Sequence, residues 1–146
     1  MTLETPLPLV GPSVTMRALA ARAEELRRDV TRPVLLVGAR GLGKQFLAER
    51  IQRASSLAAQ PFLTLDARSA TDATLRHLLD DAPAGSTVLV RHVDRLSPAA
   101  QGLLDQRTSD RRRIARLMAT TTGDIVARVT AGQFVESLYY LSLIHI

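Results

Sequence analysis

The chain has 146 residues, 46% of them hydrophobic, which is enough for one domain with its own core. It holds no tryptophan and no cysteine, so disulfides and thiolate metal sites are excluded. Net charge is +5, from 19 basic and 14 acidic residues spread along the chain. The one dense basic run, Arg111-Arg112-Arg113, reads as a solvated loop or strand edge and not as a nucleic-acid surface. No apolar run approaches the roughly 20 residues of a membrane helix, and the acidic, proline-containing N-terminus is not a secretory signal. A cytoplasmic location without membrane contact is therefore expected.

In chain order, Pro6, Pro8 and Pro12 mark an extended lead-in. Ser13 is a candidate N-cap for a helix over 14–30, with Met16, Leu19, Ala20, Ala23 and Leu26 at helical spacing. The continuous apolar run 33–37 predicts a strand buried on both faces. A helix is predicted over 43–57, a strand over 62–66 and a helix over 71–79. A third strand is predicted over 87–90. Ser97 as N-cap and Pro98 at the first helical position open a helix through about residue 105. A fourth strand over 114–119 and a helix over 124–131 follow. Strands alternating with helices predict a parallel sheet covered on both faces.

The turn after the first strand carries the chemistry. Gly38-Ala39-Arg40-Gly41-Leu42-Gly43-Lys44-Gln45 has the glycine and lysine spacing of a phosphate-binding loop. Its glycines let backbone N–H groups turn towards a phosphate, at the positive end of the following helix. Lys44 is the one lysine among the 19 basic residues; a compact ammonium on a flexible stem suits this position better than a guanidinium. Gln45 stands where a serine or threonine hydroxyl would ligate Mg²⁺.

Several segments in order then resemble one family. Residues 9–55, LVGPSVTMRALAARAEELRRDVTRPVLLVGARGLGKQFLAERIQRAS, are similar to the opening of the AAA+ domain of bacterial enhancer-binding proteins, the activators of sigma-54 RNA polymerase. PFLTLDARSA resembles that domain's second strand, and GSTVLVRHVDRLSPAAQGLLDQ its Walker B strand and next helix. RLMATTTGDIVARVTAGQFVESLYY resembles its sensor I strand and arginine-finger segment. The resemblance covers residues 9 to 140. It implies a P-loop NTPase of three-layer α/β/α form, the αβ subdomain of an AAA+ protein without its lid. It also implies ATP or ADP as ligand, held by the 38–45 loop, with Val10 and Gly11 lining the adenine pocket.

The departures from the family pattern are as informative. Its Walker B strand ends in Asp-Glu; the matching residues here are Arg91 and His92. Arginine has no acceptor for a metal but can sit against phosphate oxygens. An ordered Mg²⁺ is therefore not expected. His92 is a weak candidate base, and Asp94, three residues past Arg91, a weak substitute carboxylate. Thr122 stands at the sensor I asparagine, and Val135 at a finger-region arginine. Only 23 residues separate Pro61 from Gly85, so the family's sigma-54 contact loop is absent, which argues against direct sigma-54 contact. His77 is expected at the surface, and Tyr139-Tyr140 at a helix end.

The last six residues, LSLIHI, are what CTG-TCT-CTT-ATA-CAC-ATC encodes, a transposase end used in sequencing libraries. Residues 141–146 are expected to be translated adapter, with the natural protein continuing past Tyr140. The domain is expected to occupy residues 1–140, and to begin too near Met1 for an upstream receiver domain. DNA contact is expected only through a domain outside this chain.

The leading expectation is a nucleotide-binding pseudo-ATPase in transcription control. Its expected partners are copies of itself, a related AAA+ subunit or the transcription machinery. The alternatives are an active ATPase using a displaced carboxylate, Asp94 or Asp66, and a protein-interaction scaffold whose loop is a relic.

Overall fold

The computed structural model describes residues 33–38, 43–108, 114–122, 125–134 and 142–145, together with Ala21, Glu24, Glu25 and Arg28, which are helical. These four lie within the expected 14–30 helix, and Arg28 donates to Glu24 one turn earlier at 3.2 Å. The rest of that helix, Val10, Gly11, residues 39–42, Arg111-Arg112-Arg113, Val135 and Tyr139-Tyr140 lie outside the described residues.

Five strands form one sheet in the order β2-β3-β4-β1-β5, with every pair parallel. The strands are β1 (Val34–Val37), β2 (Phe62–Asp66), β3 (Ser86–Arg91), β4 (Ile114–Thr121) and β5 (Ser142–His145). The helices are α1 (Lys44–Arg53), α2 (Asp72–Asp81), α3 (Pro98–Thr108) and α4 (Ile125–Thr130), with a 3-10 turn at Val93–Arg95. The fold is thus the α/β/α arrangement that the alternation of elements implies.

Alternate residues of β1 serve opposite layers, as a period of two requires. Leu35 and Val37 join Val88, Val90, Leu117 and Ala119 against Leu75 and Leu79 of α2, Leu103 and Leu104 of α3 and Ile125 of α4. Val34 and Leu36 join Leu89 and Met118 against Leu47, Ala48 and Ile51 of α1. Both layers are almost wholly aliphatic, each fully buried leucine contributing about 1.5–3 kcal/mol.

Local chemistry moves several ends away from the expected ones. Helix α1 stops at Arg53 and not at Leu57. There Ser55 Oγ donates to the Gln52 carbonyl at 2.7 Å and accepts from the Leu57 N–H at 3.1 Å. Helix α2 begins after its N-cap Thr71, whose hydroxyl accepts from the Thr74 N–H at 3.1 Å, and continues to Asp81. It ends as Pro83 turns Ala82 to φ −59°, ψ 133°. Helix α3 opens at Pro98 as expected, with Ser97 Oγ accepting from the Ala100 N–H at 3.1 Å, but runs on to Thr108.

Helix α4 ends at Thr130. Gly132, at φ 75°, donates to the Val129 carbonyl at 3.0 Å while Gln133 donates to Arg128 at 2.8 Å, the paired closing bonds that left-handed glycine allows. Strand β4 reaches Thr121, two residues further than expected, because Leu36 and Val37 stay in register with Thr120 and Thr121. Strand β5 was not expected. Val34–Val37 pair with Ser142–His145 one for one, within the segment read as translated adapter.

Candidate functional site

Parallel strands deliver their C-terminal ends to one edge of the sheet, where ligands of such folds bind. Here β1 ends at Val37, just before Gly38, β2 at Asp66, and β3 at Arg91, with Thr120 near the end of β4. A cleft of about 320 Å³ at this edge is lined by Gly43, Lys44, Gln45, Phe46, Arg68, Arg91, His92 and Thr120.

The loop side of the cleft is helix α1. Its N-cap, Gly43, sits at φ 75°, ψ 31°, and no side chain caps the helix. A Cβ at this φ is strained, which is the reason for glycine. The Lys44 ammonium donates to the Gly38 carbonyl at 2.8 Å, across the ends of the loop. Burial lowers its pKa from the ordinary lysine value. Gln45 lines the cleft, but its amide donates along the helix to Glu49 at 3.1 Å. Phe46 is exposed, and the Arg50 guanidinium lies 5.5 Å from its ring centroid.

The opposite side is built on β2 and β3. Asp66 and Arg91 are register partners. Arg68, in the turn after β2, clasps the Asp66 carboxylate with two bonds, Nη2 to Oδ2 at 2.9 Å and Nε to Oδ1 at 3.2 Å. The Arg68 N–H also reaches Oδ1 at 2.9 Å. Arg91 Nη1 lies 3.9 Å from Oδ2 of the same carboxylate. The Arg68 bonds, the side-chain one foremost, hold the Asp66 carboxyl at about 2, well under the usual carboxylate range.

His92 takes left-handed backbone angles, φ 55°, ψ 48°, a costly conformation for a residue with a side chain. It turns the chain from β3 into Val93–Arg95, where the Arg95 N–H closes on the His92 carbonyl at 2.9 Å. Burial, and then the nearby positive charge of Arg68, lower the imidazole pKa, so the neutral ring is favoured.

Asp94 is absent from the cleft lining. It is buried, accepts from Thr121 Oγ1 at 2.7 Å and pairs with Arg128 Nε at 3.4 Å. Both carboxylates weighed as metal substitutes, Asp66 and Asp94, thus have cationic partners. Among the described residues, no group of three or more histidine, aspartate or glutamate side chains is gathered to hold a metal ion. Thr122 follows the end of β4, half-buried. His77 is exposed on α2, as expected, 3.8 Å from Asp81.

The cleft unites Gly43, Lys44, Gln45, Arg91 and His92, all singled out from sequence. Arg68, Phe46 and Thr120 were missed. Arg68 had a signal: it lies two residues past the end of a predicted parallel strand, on the ligand-binding edge.

The sequence matches the family model described as sigma-54 interaction domain over residues 10–144. It is 30% identical over 164 residues to the response regulator protein FleR of Pseudomonas aeruginosa, spanning 92% of this chain and 34% of that one. It is 28% identical over 154 residues to the HTH-type transcriptional regulatory protein TyrR of Salmonella typhimurium, spanning 90% of this chain and 30% of that one. The chain therefore spans about a third of the length of these curated relatives.

Among solved structures, it is similar to NtrX from Brucella abortus in complex with ATP. The TM-score is 0.75 at 21% identity, over 95% of this chain and 38% of that one. It is also similar to the P-loop NTPase domain of a sigma-54 transport activator from E. coli. There the TM-score is 0.71 at 22% identity, over 93% of this chain and 96% of that one. The fold is that of a P-loop NTPase.

Proposed function

The chain belongs to the sigma-54 interaction domain family, and from that membership we propose that it binds ATP or ADP, hydrolyses it poorly or not at all, and works in bacterial transcription control. Nucleotide-dependent assembly with copies of itself or a related AAA+ subunit in the cytoplasm would carry that control. The observation behind this reading is that Arg91 lines the same cleft as Lys44.

A metal-dependent NTPase needs a carboxylate to order the cation and a base to direct water. At the end of β3 this chain offers a guanidinium and a neutral-leaning imidazole instead. A guanidinium can neutralise phosphate oxygens directly. It cannot order Mg²⁺ or deprotonate water. Binding without turnover follows. Gln45, tied to Glu49, supplies no hydroxyl for the metal either.

The partner side of the reading rests on residues 62–84. They are filled by β2, a short turn, α2 and the turn into β3, and no extended loop rises from them. Contact with the transcription machinery would therefore go through other surfaces or other subunits and not directly to sigma-54. DNA contact would need a domain outside this chain.

The test is equilibrium binding of ATP and ADP, with and without Mg²⁺, beside Lys44→Ala. Metal-independent binding that Lys44→Ala abolishes is the expected result. Strictly Mg²⁺-dependent binding with turnover would favour the displaced-carboxylate ATPase. No binding by the folded chain would leave the scaffold.

A further inference from the structure

Three cations and one carboxylate meet around one cleft: Lys44, Arg68 and Arg91 line it, and Asp66 sits between the two arginines. Lys44 comes from the loop side and the arginines from the β2 and β3 side, so the charges flank the space between them. Among the described residues, no acidic side chain lines the cleft. Such a cleft repels free divalent cations and attracts polyanions.

Arg68 is the least expected part. It is a side chain of the β2–α2 turn, well exposed, and its guanidinium is aligned by two parallel bonds to Asp66. That fork-on-carboxylate geometry is the one a guanidinium also makes with a phosphate. Asp66 therefore occupies, from within the protein, the kind of contact a phosphate would make. Arg91, at 3.9 Å from the same carboxylate, is held more loosely and can turn to a stronger anion at little cost.

The geometry points to a metal-free clamp in which Arg68 and Arg91, pre-aligned by Asp66, close with Lys44 on the linear triphosphate chain of a ligand. The phosphate oxygens take over arginine N–H groups that otherwise face Asp66. This deepens the nucleotide reading above and rests on it. It assigns phosphate binding to Arg68 and makes the triphosphate chain, more than the nucleoside, the main determinant of affinity. Excess Mg²⁺ opposes binding, because the metal and the arginines compete for the same oxygens.

The full chain, titrated calorimetrically with ATP and separately with inorganic tripolyphosphate, tests this in metal-free buffer and in excess Mg²⁺. Both ligands are expected to bind without metal and more weakly with it. Arg68→Gln is expected to weaken both about tenfold, the size of one lost charge-assisted pair. Asp66→Asn is expected to bind both more tightly, because the competing charge is gone. Arg76→Gln, which removes an exposed charge from α2, is expected to change neither, and circular dichroism confirms that each variant is folded.

ATP binding with Arg68→Gln unchanged overturns the clamp and leaves the nucleotide reading standing. Tripolyphosphate binding without ATP binding supports the clamp and overturns the nucleotide reading. Binding of neither ligand, or a requirement for Mg²⁺, overturns the clamp.

Discussion

Thr121, the last residue of β4, donates its hydroxyl to the buried carboxylate of Asp94 at 2.7 Å. Arg128 of α4 approaches the same carboxylate at 3.4 Å, so one acidic side chain ties the turn after β3 to β4 and α4. Asp94 is thereby a structural residue. Asp94→Ala leaves the buried Thr121 hydroxyl without its acceptor and the half-buried Arg128 guanidinium without its counter-charge, and is expected to cost about 2 kcal/mol. Urea unfolding measures this. An unchanged midpoint together with weakened metal-dependent nucleotide binding would return Asp94 to the role of displaced metal ligand.

A second buried polar pair joins α1 to β3. Gln52 accepts from Thr87 Oγ1 at 2.7 Å and donates to the Leu57 carbonyl at 2.6 Å. Gln52→Leu strands the Thr87 hydroxyl away from water and is expected to cost about 2 kcal/mol. Thr87→Val in the same chain removes the stranded group, and the double variant is expected to be more stable than the sum of the two single changes allows. A denaturation series on the four proteins reads the coupling directly; simple additivity would show that the pair contributes nothing.

The strands were legible because a parallel sheet writes itself as short aliphatic runs, and Val34–Val37 and Phe62–Asp66 could be read almost to the residue. Helix ends were less legible. The stop at Arg53 depends on a Ser55 hydroxyl and a Gln52 amide turning onto the backbone, and periodicity does not encode either bond. In the cleft, Lys44 announced itself by spacing and Arg91 by breaking a family pattern. Arg68 was marked only by its position two residues past β2, because its place beside Arg91 comes from the pairing of β2 with β3 and from a clasp on Asp66. Asp94 stands apart from the cleft for the converse reason: a carboxylate close in sequence to Arg91 is turned inward by the Val93–Arg95 turn.

Strand β5 bears on the adapter reading of residues 141–146. Parallel pairing is a backbone interaction and asks only for residues that tolerate extended angles. The pairing of Ser142–His145 with β1 is therefore compatible with an accidental origin for LSLIHI. Sequencing the genomic locus across the Tyr140 codon is expected to give a different continuation after it. Genomic codons for LSLIHI at that point would overturn the adapter origin and make β5 a native strand.

The Asp66 carboxyl is lowered from 3.8 to about 2, chiefly by the side-chain bond from Arg68. A folded-state pKa below the unfolded one means that the ionised form is favoured in the fold. The stabilisation is then fully present above the unfolded value, near pH 4, and is lost as pH falls through about 2. Its size is modest, because both side chains are partly exposed and the pair is screened by solvent. Asp66→Asn abolishes this titration. The stability gap between the unaltered chain and Asp66→Asn is therefore expected to stay constant above about pH 5 and to narrow steadily from about pH 4 downwards. Urea midpoints collected over that range at fixed ionic strength give the gap. A gap that stays flat down to the acid limit of folding would mean that Arg68 does not hold the ionised carboxylate in solution, and the pre-alignment of the two arginines would fall with it.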